Sequence, residues 1–282
     1  MNWIDYANEI NLFDEFDKDI KPMSKYEKYK TVRMLINYFL KNNKSYIDNV
    51  PNTYEERKQL LYKILNTYND FEVEENILKI IDRFLISENN ENNIANINEL
   101  EEIDNEIYIY KGSITKIKSD AIVSVSNCRY INDEIYSKAG LRLKMDYNKL
   151  KYKNNYCEYP GSSKITRGYC IPAKYIIHAV APIITNNITK EKEKQLYSCY
   201  ISCLDTIRDI DGINSIVLNC ISTGTLGFPK YKAIEIAIKS VNKWKKDNNK
   251  QIKIIFNVSN DTEEEIYKSI FYRCSNINYN TI

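Results

Sequence analysis

From Ile107 onward the sequence alternates short apolar runs with longer amphipathic ones, and this alternation constrains the fold more than any other feature. Several of the short runs are apolar at consecutive positions, as in strands that are buried on both faces. The sequence predicts strands over residues 107–110, 121–125, 175–180, 215–220 and 252–258, and helices over 133–150, 190–208, 231–246 and 262–272. This pattern predicts a three-layer α/β/α domain.

The first third of the chain is predicted to be helical. Two capping-box pairs, Ser24 with Glu27 and Thr53 with Glu56, stand just before apolar residues at helical spacing. An asparagine-rich and acidic stretch follows, with few bulky apolar residues to bury. We therefore expect a helical N-terminal extension over residues 1–86, a mobile polar connector over 87–106 and the α/β domain over 107–282.

The composition argues against several classes of function. A formal net charge of +2 over 282 residues gives no electrostatic reason to expect binding to nucleic acid or to an anionic membrane. The 7 cysteines form no disulfide framework, so we expect a reducing, cytoplasmic location. His178 is the only histidine, which excludes any site that needs two imidazoles.

One loop has the composition of an anion-binding loop. It follows the predicted strand at 215–220 and leads into a helix, and its two glycines let backbone amides approach a ligand closely. Two hydroxyl side chains at its start add further donors, and we expect Phe228 to form an apolar wall against a sugar or base. The alternative is an ordinary strand-to-helix turn. The loop consists of Ser222, Thr223, Gly224, Thr225, Leu226, Gly227, Phe228 and Pro229.

This loop, together with KSDAIVSVSN (118–127) and YIIHAVAP (175–182), resembles the macrodomain family, the ADP-ribose-binding α/β/α fold. The resemblance is strongest to the zinc-dependent macrodomain hydrolases of bacteria and some eukaryotic microbes. These enzymes remove ADP-ribose from modified proteins and often accompany a sirtuin-type transferase. The resemblance covers about Ser24 to Phe271. It implies a mixed central sheet, ADP-ribose or a mono-ADP-ribosylated protein as the ligand, and a sirtuin-type ADP-ribosyltransferase as a partner.

The resemblance also implies roles for individual residues. Asp120 would accept a hydrogen bond from the adenine amino group, or else it only caps a turn. Ala121 and Ile122 would lie in the adenine pocket, and Asn257 would lie near it. Arg129 would contact the diphosphate or the ribosyl linkage, or else it is a solvated loop arginine. The positions near the diphosphate and distal ribose would be Asn127 and the residues from Ser222 to Phe228.

The segment that holds zinc in these hydrolases is shortened here. The family's cysteine, aspartate and helix histidine correspond to Tyr130, Asn132 and Tyr136. Cys128 is the one soft ligand left in the segment, and zinc needs at least three ligands of the cysteine or histidine type. We expect His178 and the pair Cys199 and Cys203 to be buried structural residues. The sequence therefore predicts no metal site and no other cofactor.

Three hypotheses stay open at this point. The first is a module that binds ADP-ribose or a mono-ADP-ribosylated protein and lacks zinc catalysis. The second is an active hydrolase with a zinc-independent or rearranged site, for which the candidate catalytic residues are Asn127, Asn132 and Asp133. Asp133 is shifted by one position from the family's carboxylate and Glu134 by two, and each step at a helix start turns a side chain by about 100°. The third is a structural or interaction module that binds no ligand.

Overall fold

The computed structural model describes residues 3–42, 50–68, 72–91, 93–126, 133–153, 158–185, 187–248 and 250–277. The first three α-helices are α1 (Lys25–Asn42), α2 (Tyr54–Thr67) and α3 (Glu75–Asn90). The strands of the described residues are β1 (Ala95–Asn96), β2 (Glu102–Asp104), β3 (Ile107–Lys111), β4 (Ile117–Lys118), β5 (Ala121–Ser126), β6 (Ser163–Arg167), β7 (Tyr175–Val180), β8 (Ser215–Asn219) and β9 (Lys253–Val258). The remaining helices are α4 (Asp133–Ala139), α5 (Leu141–Lys153), α6 (Lys190–Arg208), α7 (Lys230–Asp247) and α8 (Asp261–Ile277).

Seven of the strands form one mixed sheet in the order β2-β3-β9-β8-β5-β7-β6. The five inner strands are parallel, and the two edge strands, β2 and β6, pair antiparallel with their neighbours. A separate short pair, β1 with β4, is parallel. Because the inner strands are parallel, their carboxyl ends lie at one edge of the sheet, where α/β folds place ligands.

Helices cover both faces of the sheet. Strand β9 shows why, since successive side chains of a strand point to opposite faces. Its Ile254 and Phe256 pack in the core that includes α6, α7 and α8, whereas Ile255 packs in the core that includes α1 to α5. The three-layer fold is thus confirmed, and the N-terminal helices form part of one layer. No helix in the described ranges is both long and apolar enough to span a membrane.

The predicted helix over 133–150 is two helices, α4 and α5, which meet at Gly140. Gly140 has a φ of +94°, a conformation that side-chain-bearing residues rarely adopt. A Cβ there would lie 2.9 Å from Leu85 Cδ1 of α3. The break therefore lets α3 pack closely against the junction of the two helices.

Residues 87–106 differ from the mobile connector that the sequence predicts. Helix α3 continues to Asn90, and the segment then contributes β1 and β2. Glu88 is buried and pairs with Lys28 of α1 at 2.7 Å, and the Asn89 amide donates to the Lys138 carbonyl of α4 at 3.1 Å. The polar residues at the start of this stretch, Ser87, Glu88 and Asn89, are thus buried with partners, which a count of apolar residues does not detect.

Candidate functional site

A cleft of about 320 Å³ opens at the carboxyl ends of the three adjacent strands β5, β8 and β9. Crevices at this edge of a parallel sheet are the usual ligand sites of α/β folds. The cleft is lined by Val125, Asn219, Cys220, Ser222, Thr223, Gly224, Thr225, Leu226, Asn257, Ser259 and Glu263. Five of the predicted loop residues, from Ser222 to Leu226, and Asn257 are thus brought together in it.

The loop after β8 is anchored on both sides. The buried Tyr200 hydroxyl of α6 accepts from the Ile221 N–H at 2.9 Å and donates to the Asn219 carbonyl at 3.2 Å. Farther along, the Ser222 hydroxyl donates to the Pro182 carbonyl at 3.1 Å, and the Leu226 carbonyl accepts from the Ile184 N–H at 2.9 Å. The loop is therefore fixed by helix α6 and by the segment that follows β7.

Two residues of the loop have left-handed backbone conformations. Ser222 has a φ of 69° and Gly227 a φ of 77°. A Cβ at Gly227 would lie 3.1 Å from the Ile184 carbonyl oxygen, so glycine is required there for both space and conformation. Gly224 is different, because a Cβ there would meet no atom within 4 Å. Only one of the two glycines is therefore needed for the shape of the loop.

The turn leaves a row of backbone donors free. The N–H groups of Gly227 and Phe228 donate within the loop, to Gly224 at 3.0 Å and to Ser222 at 2.9 Å. The five N–H groups from Ser222 to Leu226 donate to no acceptor in the described part of the chain. Nearly all backbone N–H groups in folded proteins have a partner, and consecutive free ones form anion-binding concavities. The loop is therefore able to bind an anion such as a diphosphate.

The other wall of the cleft carries a buried carboxylate, Glu263, on the first turn of α8. It accepts from the Ser259 N–H at 2.7 Å and the Ser259 hydroxyl at 2.5 Å, and it pairs with Lys230 at 3.0 Å. Burial by itself would raise the pKa of Glu263, but the Ser259 hydrogen bonds and the Lys230 charge outweigh it, and the pKa is lowered. Glu263 is therefore charged at neutral pH.

Asn257 has a structural role at the end of β9. Its amide nitrogen donates to the carbonyls of Tyr110, at 3.1 Å, and Gly112, at 2.8 Å, and so ties the end of β9 to the end of β3. The carboxylate of Glu134 accepts from the hydroxyls of Ser113 and Thr115, which follow Gly112 in the sequence. Glu134 is therefore held by two hydroxyl groups that follow β3.

The structure does not bring Asp120, Ala121 and Ile122 into the cleft. They stand at the start of β5, and six residues at about 3.3 Å each separate them from its carboxyl end by roughly 15–20 Å. The Asp120 carboxylate already accepts from the Asn214 N–H at 2.9 Å and the Ser215 hydroxyl at 2.8 Å. The prediction placed residues from both ends of one strand in a single site, whereas the structure places them at opposite edges of the sheet.

Two further predicted residues do not line the cleft, and several others lie outside the described residues. Phe228 is 2% exposed and packs in the core with α6 and α7, so it forms no wall of the cleft. Gly227 shapes the loop but does not line the cleft. Five residues named in the sequence analysis lie outside the described residues: Asn127, Cys128, Arg129, Tyr130 and Asn132. The side chain of Asp133 lies outside them as well.

The donor set of the described residues does not fit zinc. No group of three or more His, Cys, Asp or Glu side chains that could hold a metal ion occurs in the described ranges. His178 is buried, its Nε2 lies 2.9 Å from the Thr166 hydroxyl, and its Nδ1 lies 3.3 Å from the Tyr136 hydroxyl. Burial, together with the charge of Lys164, lowers the pKa of His178 to about 3. Both ring nitrogens are thus occupied by hydrogen bonds, and the imidazole is neutral.

The buried cysteines also fit the prediction made from the sequence. Cys199 and Cys203 have no exposed surface, and burial raises the pKa of both thiols. Zinc binds the thiolate, which burial disfavours. They are therefore core residues of α6.

Sequence reasoning missed five residues of the cleft: Val125, Asn219, Cys220, Ser259 and Glu263. Asn219 and Cys220 end the predicted strand before the loop, so the rule that strand carboxyl ends bear ligands could have found them. No signal in the sequence distinguishes Glu263 from the other acidic residues at the start of α8. Its burial depends on how α8 packs against β9 and α7.

Three comparisons bear on this site. Residues 124–237 match the family model described as Macro domain. The chain is 34% identical over 236 residues to a protein-ADP-ribose hydrolase of Staphylococcus aureus, and the alignment covers 79% of this chain and 88% of the relative. It is 32% identical to a protein-ADP-ribose hydrolase of Treponema medium, over 84% of this chain and 96% of the relative. A solved structure, the Oceanobacillus iheyensis macrodomain with ADP, superposes with a TM-score of 0.56 at 26% identity, over 63% of this chain and 96% of that one.

Proposed function

Because the chain belongs to the macrodomain family, we propose that its cleft binds ADP-ribose or a mono-ADP-ribosylated protein. The observation that carries the proposal is the row of five backbone N–H groups from Ser222 to Leu226, which have no acceptor in the described ranges. A diphosphate supplies anionic acceptors of the kind that such a row binds. The structure of a related macrodomain with ADP supports a diphosphate ligand for this fold.

The test places a charge in the loop without changing its shape. Gly224 has open space around it, so Gly224→Glu and its neutral counterpart Gly224→Gln add side chains of the same size. Calorimetry with ADP-ribose should show binding by the wild type, at most a few-fold loss in Gly224→Gln and at least about a tenfold loss in Gly224→Glu, because like charges in contact cost several kcal/mol. No heat with the wild type up to millimolar ADP-ribose would contradict the proposal and favour a module without ligand.

We further propose that the chain lacks zinc chemistry. The proposal is supported by the hydrogen-bonded His178 and by the phenol of Tyr136 at the position of the family's helix histidine. Hydrolysis is a second candidate, since the related proteins from Staphylococcus aureus and Treponema medium are named protein-ADP-ribose hydrolases. Incubation with a mono-ADP-ribosylated protein tests it. Release of ADP-ribose that survives a chelator and is lost in Asn127→Ala would establish an enzyme with zinc-independent chemistry.

A cytoplasmic location and a sirtuin-type transferase as partner are also proposals. The first is supported by the seven cysteines without a disulfide framework. The second is supported only by the resemblance to hydrolases that accompany such transferases. Co-purification of the tagged chain with a transferase from its native cell would test the partner.

A further inference from the structure

The proposed function does not explain the carboxylate of Glu263. This residue places a negative charge in a cleft whose opposite wall is suited to an anion. Its side chain is 6% exposed, whereas the side chain of its counter-ion Lys230 is 37% exposed. Water therefore screens the lysine more than the carboxylate, so Lys230 offsets the charge of Glu263 only in part.

The hydrogen bonds of Glu263 leave room for one more donor. An ionised carboxylate has about four acceptor positions. Ser259 uses two of them, both on Oε2, and Lys230 uses one on Oε1. Because Glu263 lines the cleft, the remaining position on Oε1 is available to a group of the ligand. That group must carry a hydrogen, as a hydroxyl or amino group does, and it cannot be a second anion.

The cleft is therefore polarised. The loop after β8 offers free N–H donors to an anion, and the wall formed by Asn257, Ser259 and Glu263 offers an acceptor and a negative charge. A ligand that spans the two walls has an anionic centre and a neutral, hydrogen-donating end. In ADP-ribose the diphosphate lies between two riboses, whose hydroxyls are such donors, and the ribose of adenosine is the one that a 2′-phosphate would modify.

We propose that Glu263 is a specificity-determining residue, which accepts a hydrogen bond from a hydroxyl of the adenosine ribose and excludes ligands with a phosphate at that position. This inference rests on the proposed function. It selects ADP-ribose against ADP-ribose 2′-phosphate, which differs by one phosphate on that ribose. Ser259 acts as the positioning residue, because its two hydrogen bonds hold the carboxylate at the edge of the cleft, and Lys230 is its counter-ion.

The test compares the dissociation constants of the two ligands by calorimetry. The wild type should bind ADP-ribose at least about tenfold more tightly than its 2′-phosphate, as expected for a phosphate placed against a buried carboxylate. Glu263→Gln keeps the size of the side chain and removes its charge, and it should reduce the ratio to about threefold or less. Glu264→Gln is the matched control, since Glu264 is the next residue of α8 and pairs with Lys111 and Lys268. It should leave the ratio unchanged.

A second variant keeps the inference testable if Glu263→Gln does not fold. Lys230→Met retains the carboxylate and removes its counter-ion, so the ratio should equal or exceed that of the wild type. Equal binding of both ligands by the wild type, or a lowered ratio in Lys230→Met, overturns the inference alone. An equal change in Glu264→Gln and Glu263→Gln overturns it as well. Failure of the wild type to bind either ligand overturns the proposed function, and the inference with it.

Discussion

The single histidine of the chain predicts how stability depends on pH. His178 lies in β7, fully enclosed between Tyr136 of α4 and Thr166 of β6. The Thr166 hydroxyl donates to the Arg167 carbonyl at 3.3 Å, so it can accept from Nε2–H, which leaves Nδ1 to accept from Tyr136. This is the arrangement of one neutral tautomer. A proton on Nδ1 would face a donor, and the charged ring would lie in a buried environment.

The magnitude follows from the two pKa values. Burial and the Lys164 charge lower the pKa from 6.5 to about 3, so the unfolded chain binds a proton that the folded chain excludes. The stability that depends on this group is therefore complete above pH 6.5 and is lost as the pH falls toward 3. One pKa unit corresponds to about 1.4 kcal/mol, so at pH 5.0 the free energy of unfolding should be ~2 kcal/mol lower through this group.

Urea denaturation at pH 7.5 and pH 5.0 measures this loss against His178→Gln. The glutamine amide can still donate to Thr166, but it does not titrate. Carboxylates that also titrate contribute alike to both proteins, so the wild type should lose ~2 kcal/mol more than the variant between the two pH values. Proton NMR gives a direct check, because the only imidazole in the chain should show no titration near pH 6.5. A shift midpoint near 6.5, or equal losses in both proteins, would refute the reasoning.

Two other substitutions test the cleft. Gly227→Ala should lower the free energy of unfolding in urea by about 1–2 kcal/mol and weaken ADP-ribose binding, because alanine is disfavoured at this positive φ and its Cβ crowds the Ile184 carbonyl. Gly224→Ala, its control, should stay within about 0.5 kcal/mol of the wild type, and equal effects in both would contradict the loop geometry. Asn257→Leu leaves the carbonyls of Tyr110 and Gly112 without their donor and should cost about 1–3 kcal/mol in the same assay. A stability unchanged within error would show that these bonds do not hold β9 to β3.

The elements that the sequence predicts well are the apolar and periodic ones. The predicted strand over 175–180 and helix over 190–208 match β7 and α6 at both ends. Strand β6 (Ser163–Arg167) was missed because Ile165 is the one apolar residue among its five, and two of its polar side chains are satisfied by side chains from outside the strand. Ser163 bonds Ser202 of α6 at 2.8 Å, and Lys164 pairs with Glu158 at 2.8 Å. Such partners are distant in the sequence or lie in loops, so local patterns do not show them.

The candidate site was predicted in part. The loop from Ser222 was found because glycines and hydroxyl residues after an apolar strand are a local signal. Asp120 was assigned by resemblance to a motif, and the direction of β5 contradicts the assignment. A residue that precedes a parallel strand lies at the amino edge of the sheet, opposite the ligand edge. The strand prediction already contained that information, but Glu263 could be found only from the packing of α8.

The anchors of the loop bear on whether binding can survive without zinc. The loop is held by the Tyr200 hydroxyl and the Ile184 N–H, which bond its backbone, and by the Pro182 carbonyl, which accepts from the Ser222 hydroxyl. None of these groups lies in the shortened segment between β5 and α4. The five free N–H groups are therefore positioned by elements that the shortening does not touch, whereas a zinc ion would need side chains from the segment itself. For this reason we expect anion binding by this loop to be independent of a metal ion, and we expect Gly224→Glu to affect binding more strongly than any substitution at Cys128.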